Sequence, residues 1–407
     1  MRCILIVGDG MADQPLQELG FKTPLEFVNP VFMNRLVCKG ALGLLDPIAP
    51  GVVPDSDTAN LAFLGYDPRF VCEGRGPFEA VGAGLQVKEG DLAFRCNFVT
   101  ADENLCLVDE RAGRIGVEAK VLGEVVGQIR LKVHSDVEIY FRHIRGFKAA
   151  LVLRGDGLSA NVSKVLPIKG SSIASVLPLD GSFEAKRTAD VLNEFVRLTN
   201  QVLDGHPVNV NRVMVNRKPA NAVLPWSGGW RPDMVSFQVK YGLRASCVAG
   251  VSLIKGIGLL SGMDVPDVLG ATGEWDTDVF AKADAVLDAV NGGKDFVYVH
   301  VEAADEASHD GDVEGKILVI KKIDALLGRI LNGVDLSDTV IVLMPDHVTS
   351  CLTKGHTCDA VPVCFAGANV MVDNVTVYNE RSAYKGGLNS INGKDIMPMV
   401  LKCMGRM

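Results

Sequence analysis

Three nearly unbroken apolar runs stand out along the chain: CILIV at 3–7, FVYVHV at 296–301 and TVIVLM at 339–344. Runs rich in β-branched residues, without alternation of polar and apolar positions, predict parallel strands buried on both faces. An acidic residue follows each within a few positions: Asp9, Asp305 and Asp346. These acids are therefore expected at the carboxyl ends of three strands, the edge where an open α/β sheet holds its ligands. The pattern changes near residue 90. FRCNFVT, the charged turn LVDERAGR, the amphipathic VEAKVLGEVVGQI, then DVEIYF and KAALVLRG predict strand, helix, strand and strand of a small α+β unit. FEAKRTADVLNEFVRLTNQVL has helical spacing over its whole length, and ANAVLPW and ASCVAGVSL read as strands returning to the larger unit. The predicted fold class is α/β: a mostly parallel sheet flanked by helices, formed by 1–90 and 180–407, with an inserted α+β lid at 91–179. No internal repeat or low-complexity linker interrupts it.

The strand-end acids have histidines beside them. Asp305 and His309 in DEASH lie four apart and share one face of a helical turn, whereas Asp346 and His347 in MPDH are adjacent and point apart. His356 follows in KGHT and Asp9 sits in GDG. Imidazole and carboxylate oxygen together suit manganese, zinc or a related divalent ion, and two such ions can clamp the entering and leaving oxygens of a phosphoryl transfer. Each acid alone reads equally well as a helix cap. Capping does not explain three of the chain's seven histidines standing beside those acids.

A nucleophile is also available. In GVVPDSDTANLAFLGYDP, Ser56 follows the turn-forming Pro54-Asp55 and opens a helix-like run from Thr58 to Leu64, where free amide donors make a phosphate seat. A bound divalent cation lowers a serine hydroxyl's pKa enough to activate it without a histidine base. A plain N-cap serine is the alternative.

Composition narrows the partners. With 407 residues the chain is too long for most single cores, and 48% hydrophobic and 22% charged residues suit a globular enzyme. A net charge of -8 argues against nucleic acid or an anionic membrane. An anionic substrate must then be drawn by local basic groups. Arg75, Arg95, Arg145 and Arg154 offer guanidinium forks for a carboxylate or phosphate, although each also reads as a solvated or structural arginine. His143 in FRHIRG offers an acid or base, or is an ordinary surface histidine. The G-x-G at 74–76 is followed at once by Pro77 and lacks the strand-to-helix context of a dinucleotide loop. No apolar run reaches transmembrane length and the start lacks the form of a signal peptide, so a cytoplasmic protein is expected. Ten cysteines without a CxxC pair fit free thiols in a reducing compartment; Cys358, two residues from His356, reads as a buried core residue or a soft extra ligand.

Read in order, GDGMAD, PLEFVNPVFMNRL, PDSDTANLAFLGYDP, GRGPFEAVGAG, FRCNF, VHVEAADEASHDGD and DHVTSCLTKGHTCDAVPV resemble the archaeal-type 2,3-bisphosphoglycerate-independent phosphoglycerate mutases of the alkaline phosphatase superfamily. The resemblance runs over nearly the whole chain. It implies an alkaline-phosphatase-like core and interconversion of 3-phosphoglycerate and 2-phosphoglycerate through a phosphorylated serine, with no 2,3-bisphosphoglycerate as cofactor. Two divalent ions are implied, manganese foremost with zinc, cobalt or magnesium as alternatives. One would take Asp9, Ser56, Asp346 and His347, the other Asp305, His309 and His356. Lys240, in VKYG, resembles a lysine close to the phosphoserine, and the lid would retain the intermediate and exclude water. Two positions depart: Asn60 stands where many relatives have histidine, and LPWSGGW at 224–230 replaces a more basic stretch. The ligand motifs alone do not exclude a related phosphomutase, phosphatase or phosphodiesterase, whereas the presence of Ser56 and all six ligands speaks against a metal-binding or regulatory protein that has lost turnover.

Overall fold

The computed structural model describes residues 1–406, which divide into two compact units, Met1–Val71 with Met234–Met407, and Cys72–Asp233. The first begins with strands β1 (Arg2–Gly8) and β2 (Gly40–Asp46). The chain then builds the second unit from β3 (Leu92–Ala101), β4 (Leu107–Asp109), β5 (Glu138–Arg145), β6 (Lys148–Arg154) and β7 (Ala222–Trp230). It returns with β8 (Ala245–Val248), β9 (Phe296–Val301), β10 (Thr339–Met344), β11 (Val348–Ser350), β12 (Gly355–Thr357), β13 (Val361–Gly367) and β14 (Ser390–Asn392).

The first unit carries a seven-stranded sheet in the order β14-β2-β13-β10-β1-β9-β8. Its centre is parallel, β1 lying between β9 and β10, and β13 alone runs against its neighbours. This is the predicted α/β class with a mostly parallel sheet. The three apolar runs of the sequence are its three adjacent central strands, and all but Arg2 of their residues are buried. Register aligns the strand ends. Val7 pairs with His300 on one side and Met344 on the other, so the three strands end level and the residues beyond them emerge at one edge.

The loop leaving β1 is tied down from behind. Lys316, fully buried on the helix Val313–Gly333, donates to the carbonyls of Ala12 and Thr349 at 2.9 and 2.8 Å and pairs with Asp13 at 2.7 Å. Asp13 also accepts from the Cys351 amide at 3.2 Å. Saturating an otherwise costly buried ammonium fixes the β1 loop against β11. Glu380 supports the same loop from the other side, accepting from the Asp13 amide at 3.2 Å and from the Thr23 hydroxyl at 2.6 Å.

The second unit is an antiparallel sheet ordered β4-β3-β6-β5, with β7 also paired to β3. Alternation along β3 sends Leu92, Phe94, Cys96 and Phe98 into one core with Val191, Leu192, Phe195 and Val196 of the long helix Phe183–Leu203; Ala93 faces the other way, toward Ala80. The expected lid of 91–179 is therefore too narrow. ANAVLPW does not return to the larger unit: β7 pairs with β3 from Leu92↔Trp230 to Val99↔Ala222, and the long helix packs on that sheet. ASCVAGVSL does return, as β8 and the start of the helix Ser252–Leu260. The glycines of GRGPFE serve close packing rather than a nucleotide: a Cβ on Gly76 would lie 2.3 Å from the Ala93 carbonyl, and one on Gly74 2.5 Å from that of Gly228. Among the described residues, no helix is long and apolar enough to cross a membrane.

Burial pushes the Glu380 carboxyl up to about 7, against hydrogen bonds that oppose it. Its folded pKa lies above the ordinary 4.5, so the folded state binds the extra proton and stability falls as pH rises from about 4.5 to about 7. Glu380→Gln is expected to remove that component, worth up to about 3 kcal/mol. Tm measured for both proteins from pH 5 to 8 should show wild type losing ground to the variant as pH rises; parallel curves would refute the assignment.

Candidate metal and phosphoryl-transfer site

At the carboxyl edge of the first unit's sheet, Asp9, Asp305, Asp346 and His347 are all buried, and His309 and His356 are partly so. All six predicted ligands converge. Asp9, Asp346 and His347 form one group of potential ligand atoms within 4.8 Å of one another, and Asp305, His347 and His356 form a second. The Nε2 atoms of His309 and His356 lie 3.4 and 3.5 Å from the same Asp305 oxygen. The His347 and His356 rings stack at 3.8 Å between centroids.

Each of these imidazoles is anchored by its other nitrogen. His309 Nδ1 donates to the Lys354 carbonyl and His356 Nδ1 to the Pro54 carbonyl, both at 2.9 Å, since a carbonyl only accepts. His347 Nδ1 lies 2.9 Å from the Thr349 hydroxyl, which donates its single proton to Asp305 at 2.7 Å and so must accept from the ring. All three therefore aim Nε2 into the cluster, with tautomer and ring orientation set by a partner behind, as metal-bound histidines are held. His356 Nε2 and Asp9 Oδ1 are buried with no hydrogen-bond partner. Buried polar atoms in this state call for a further ligand. A donor set of carboxylates and inward-facing imidazole nitrogens fits divalent ions of the manganese or zinc type.

Electrostatics agree. Asp9 is held well above the usual carboxylate range by burial and by the charges of Asp346, Asp305 and Glu302. Burial also pushes Asp305 up, yet the imidazoles of His309 and His356, 3.4 and 3.5 Å away, prevail and hold it well below the usual range. The same contact with Asp305 raises His309 to about 9, whereas burial lowers His347.

Ser56 is the first residue of the helix Ser56–Phe63, with Asp55 in the cap position, so the serine is not the cap. Its hydroxyl meets His347 Nε2 at 3.2 Å. One turn on, Asn60 donates to the Ser56 carbonyl at 2.6 Å and to Asp346 at 3.0 Å, while the buried Tyr298 hydroxyl donates to Asn60 Oδ1. Gly10 completes the clamp, its amide 3.1 Å from the other Asp346 oxygen. With φ of 58° and a Cβ that would come within 2.7 Å of Asp305 Cα, only glycine fits at this position of GDG.

Lys240 stands in the helix Phe237–Tyr241, its ammonium 5.2 and 5.5 Å from the Tyr66 and Tyr241 ring centroids. Its Cε lies 3.7 Å from where a Gly65 Cβ would be, just past the C-terminal end of the helix that Ser56 opens. Cys358 is exposed, neither core nor part of a ligand group. The five expected substrate contacts belong to the second unit. Arg154 is occupied: it grips Asp91 with two bonds of 2.9 and 2.7 Å and reaches the Tyr140 hydroxyl and the Gln86 carbonyl. His143 donates Nε2–H to the Gly146 carbonyl at 2.9 Å. Arg75 pairs with Glu79 at 3.2 Å, Arg95 lies over the Trp226 ring at 4.7 Å, and Arg145 is exposed at the end of β5.

The sequence reading missed His300, Glu302 and Thr349. His300 and Glu302 form a third potential ligand group with Asp9. His300 was hidden inside an apolar strand run, and its place two residues before Glu302 at a strand end was the available signal.

A sheet whose carboxyl edge gathers carboxylates and oriented imidazoles around a helix-opening serine defines an α/β protein with a candidate divalent-metal site at that edge. A family profile described as 2,3-bisphosphoglycerate-independent phosphoglycerate mutase matches residues 38–209. A protein of that name from Methanothermobacter thermautotrophicus is 44% identical over 407 residues, covering 100% of this chain and 98% of its own. One from Methanosphaera stadtmanae is 45% identical, covering 99% and 98%. Among solved structures, the PH0037 protein of Pyrococcus horikoshii aligns with a TM-score of 0.84 at 33% identity, covering 100% of this chain and 98% of that one. The cofactor-independent phosphoglycerate mutase of Thermoplasma acidophilum aligns at 0.65 and 30%, with full coverage of both. The chain belongs to the archaeal-type 2,3-bisphosphoglycerate-independent phosphoglycerate mutases, a family of isomerases.

Thr349→Val keeps shape but deletes the hydroxyl that fixes His347 and Asp305. It is expected to weaken divalent-ion binding 10- to 100-fold, read by competition with a chromogenic chelator. Unchanged affinity would show that Thr349 only fills space.

Proposed function

We propose that this enzyme interconverts 3-phosphoglycerate and 2-phosphoglycerate without a bisphosphoglycerate cofactor, by way of a phosphoserine at Ser56. The observation that carries the proposal is the set of three histidines, each held through Nδ1, that turn Nε2 toward Asp9, Asp305 and Asp346 around the Ser56 hydroxyl. Family membership supplies the substrate. Two divalent ions, manganese foremost, held by Asp9, Ser56, Asp346 and His347 and by Asp305, His309 and His356, would polarise the phosphoryl oxygens and acidify the serine hydroxyl.

Ser56 loses its proton and attacks phosphorus in line; the bond from phosphorus to the C3 oxygen breaks, and that oxygen takes up a proton to leave glycerate. The C2 hydroxyl of glycerate then loses its proton and attacks the phosphoserine, and breakage of the bond to Ser56 Oγ regenerates the enzyme. Asn60 and Gly10 keep Asp346 oriented toward Ser56 throughout, so the nucleophile and its electrostatic surroundings need not reorganise during either transfer. The ten free cysteines fit a reducing cytoplasm, and the net charge of -8 fits a small-molecule substrate rather than nucleic acid or a membrane.

The test follows conversion of 3-phosphoglycerate by manganese-loaded protein, with inorganic phosphate monitored in the same reaction. Isomerisation without phosphate release, lost by at least about 10⁴-fold in Ser56→Ala, is the expected result. Net phosphate release would identify a hydrolase on the same cluster, and undiminished turnover by Ser56→Ala would remove the serine from the mechanism.

A further inference from the structure

We propose that Tyr298 is a positioning residue for phosphoryl transfer: its hydroxyl holds the Asn60 amide, and through that amide it ties Asp346 to the backbone of Ser56. The proposal rests on the reading of Ser56 as nucleophile. Tyr298 stands in the middle of β9, where Val297, Val299 and Val301 enter the core shared with Val319, Ile320 and Ile323 of the helix Val313–Gly333. Alternation along the strand puts Tyr298 on the opposite face, together with His300. There the fully buried phenol donates to Asn60 Oδ1, a partner 238 residues away in the chain.

Every part of the Asn60 amide is engaged. Its nitrogen faces the Ser56 carbonyl at 2.6 Å and Asp346 Oδ2 at 3.0 Å, and a carbonyl and a carboxylate only accept. Its oxygen faces a hydroxyl with a proton to give. Burial, and after it the negative charge of Asp346, push the phenol well above its ordinary range, so the proton stays on Tyr298 and the direction of the bond is fixed. A half-turn of the amide would set its oxygen against two acceptors with no proton between them.

The bonds also act in series. A phenol donating to the amide oxygen polarises the amide and makes its nitrogen the stronger donor toward Asp346. With the Gly10 amide 3.1 Å from the other oxygen, each oxygen of Asp346 has one fixed donor. Removing the Tyr298 hydroxyl leaves Asn60 Oδ1 an unmatched acceptor on a side chain that is 0% exposed, and the pull toward another partner then works against the bonds to Ser56 and Asp346. A tyrosine that only filled the core would give up stability and leave the reaction unchanged.

The test is a double-mutant cycle in the full chain: Tyr298→Phe, Asn60→Ala and both together. Two quantities are read, manganese affinity, with free ion followed by its paramagnetic resonance signal, and kcat and KM for 3-phosphoglycerate. Tyr298→Phe is expected to weaken manganese binding about 10-fold and to lower kcat about 10-fold with KM unchanged. Added to Asn60→Ala it should cost nothing more, because the hydroxyl acts through that amide. Undiminished ion affinity in Tyr298→Phe would overturn the proposal, and so would losses that add in the double variant or a raised KM with kcat intact. Far-UV circular dichroism checks folding; if the Asn60 variants do not fold, ion affinity and the split between kcat and KM in Tyr298→Phe decide. Wild type that leaves 3-phosphoglycerate unchanged would sink the mutase reading, and the ion cycle would still decide the role of Tyr298.

Discussion

Mutual repulsion among buried carboxylates at the end of a parallel sheet is the constraint on which the rest of this structure depends. Asp9, Asp305 and Asp346 are each at most 8% exposed, and burial together with the neighbouring carboxylates leaves Asp9 reluctant to ionise. No arrangement of apolar side chains relieves such a cluster; it must be neutralised by protons or by cations. The surroundings are built to hold it together. Level strand ends bring the acids to one edge, Gly10 permits the backbone approach, and the Lys316–Asp13 pair anchors the loop that leaves β1. The fold gives up stability at this edge and regains it when positive charge arrives.

Much of this was legible in the sequence for a simple reason. Strands buried on both faces need long apolar runs, so the central sheet announces itself, and acids next to histidines at strand ends have few structural uses. The three runs accordingly become the central strands, and Asp9, Asp305, Asp346, His309, His347 and His356 gather at one edge of their sheet. His300 was obscured by the same rule: in FVYVHV, burial between helices and burial in a ligand group look alike. Thr349, Asn60 and Tyr298 carry no signature of their own, because their role lies in hydrogen bonds made across 44 to 286 residues.

The boundary of the second unit was less legible because strand pairing is non-local. β7 has an ordinary strand pattern that fits either sheet, and only its register with β3, more than 120 residues earlier, assigns it. Lys240 shows a related limit. A motif brings a lysine to a position in the chain, but the helix Phe237–Tyr241 and the aromatic rings of Tyr66 and Tyr241 decide where its ammonium rests. The arginines likewise advertise forks for anions, and Arg154 commits its fork to Asp91.

The histidines show how the site is made ready without being relaxed. A free imidazole in water chooses its tautomer and rotamer; here carbonyls of Pro54 and Lys354 and the hydroxyl of Thr349 have made that choice for three of them. Each bond is an ordinary one, yet together they turn three Nε2 atoms inward toward buried carboxylates. Local satisfaction has been organised around Nδ1 so that Nε2 can be left for another partner. Asn60 applies the same logic to the acid beside Ser56, tying Asp346 to the backbone of the nucleophile's own helix. Orientation is thus settled during folding, and ligand binding can proceed without the entropic cost of collecting these groups.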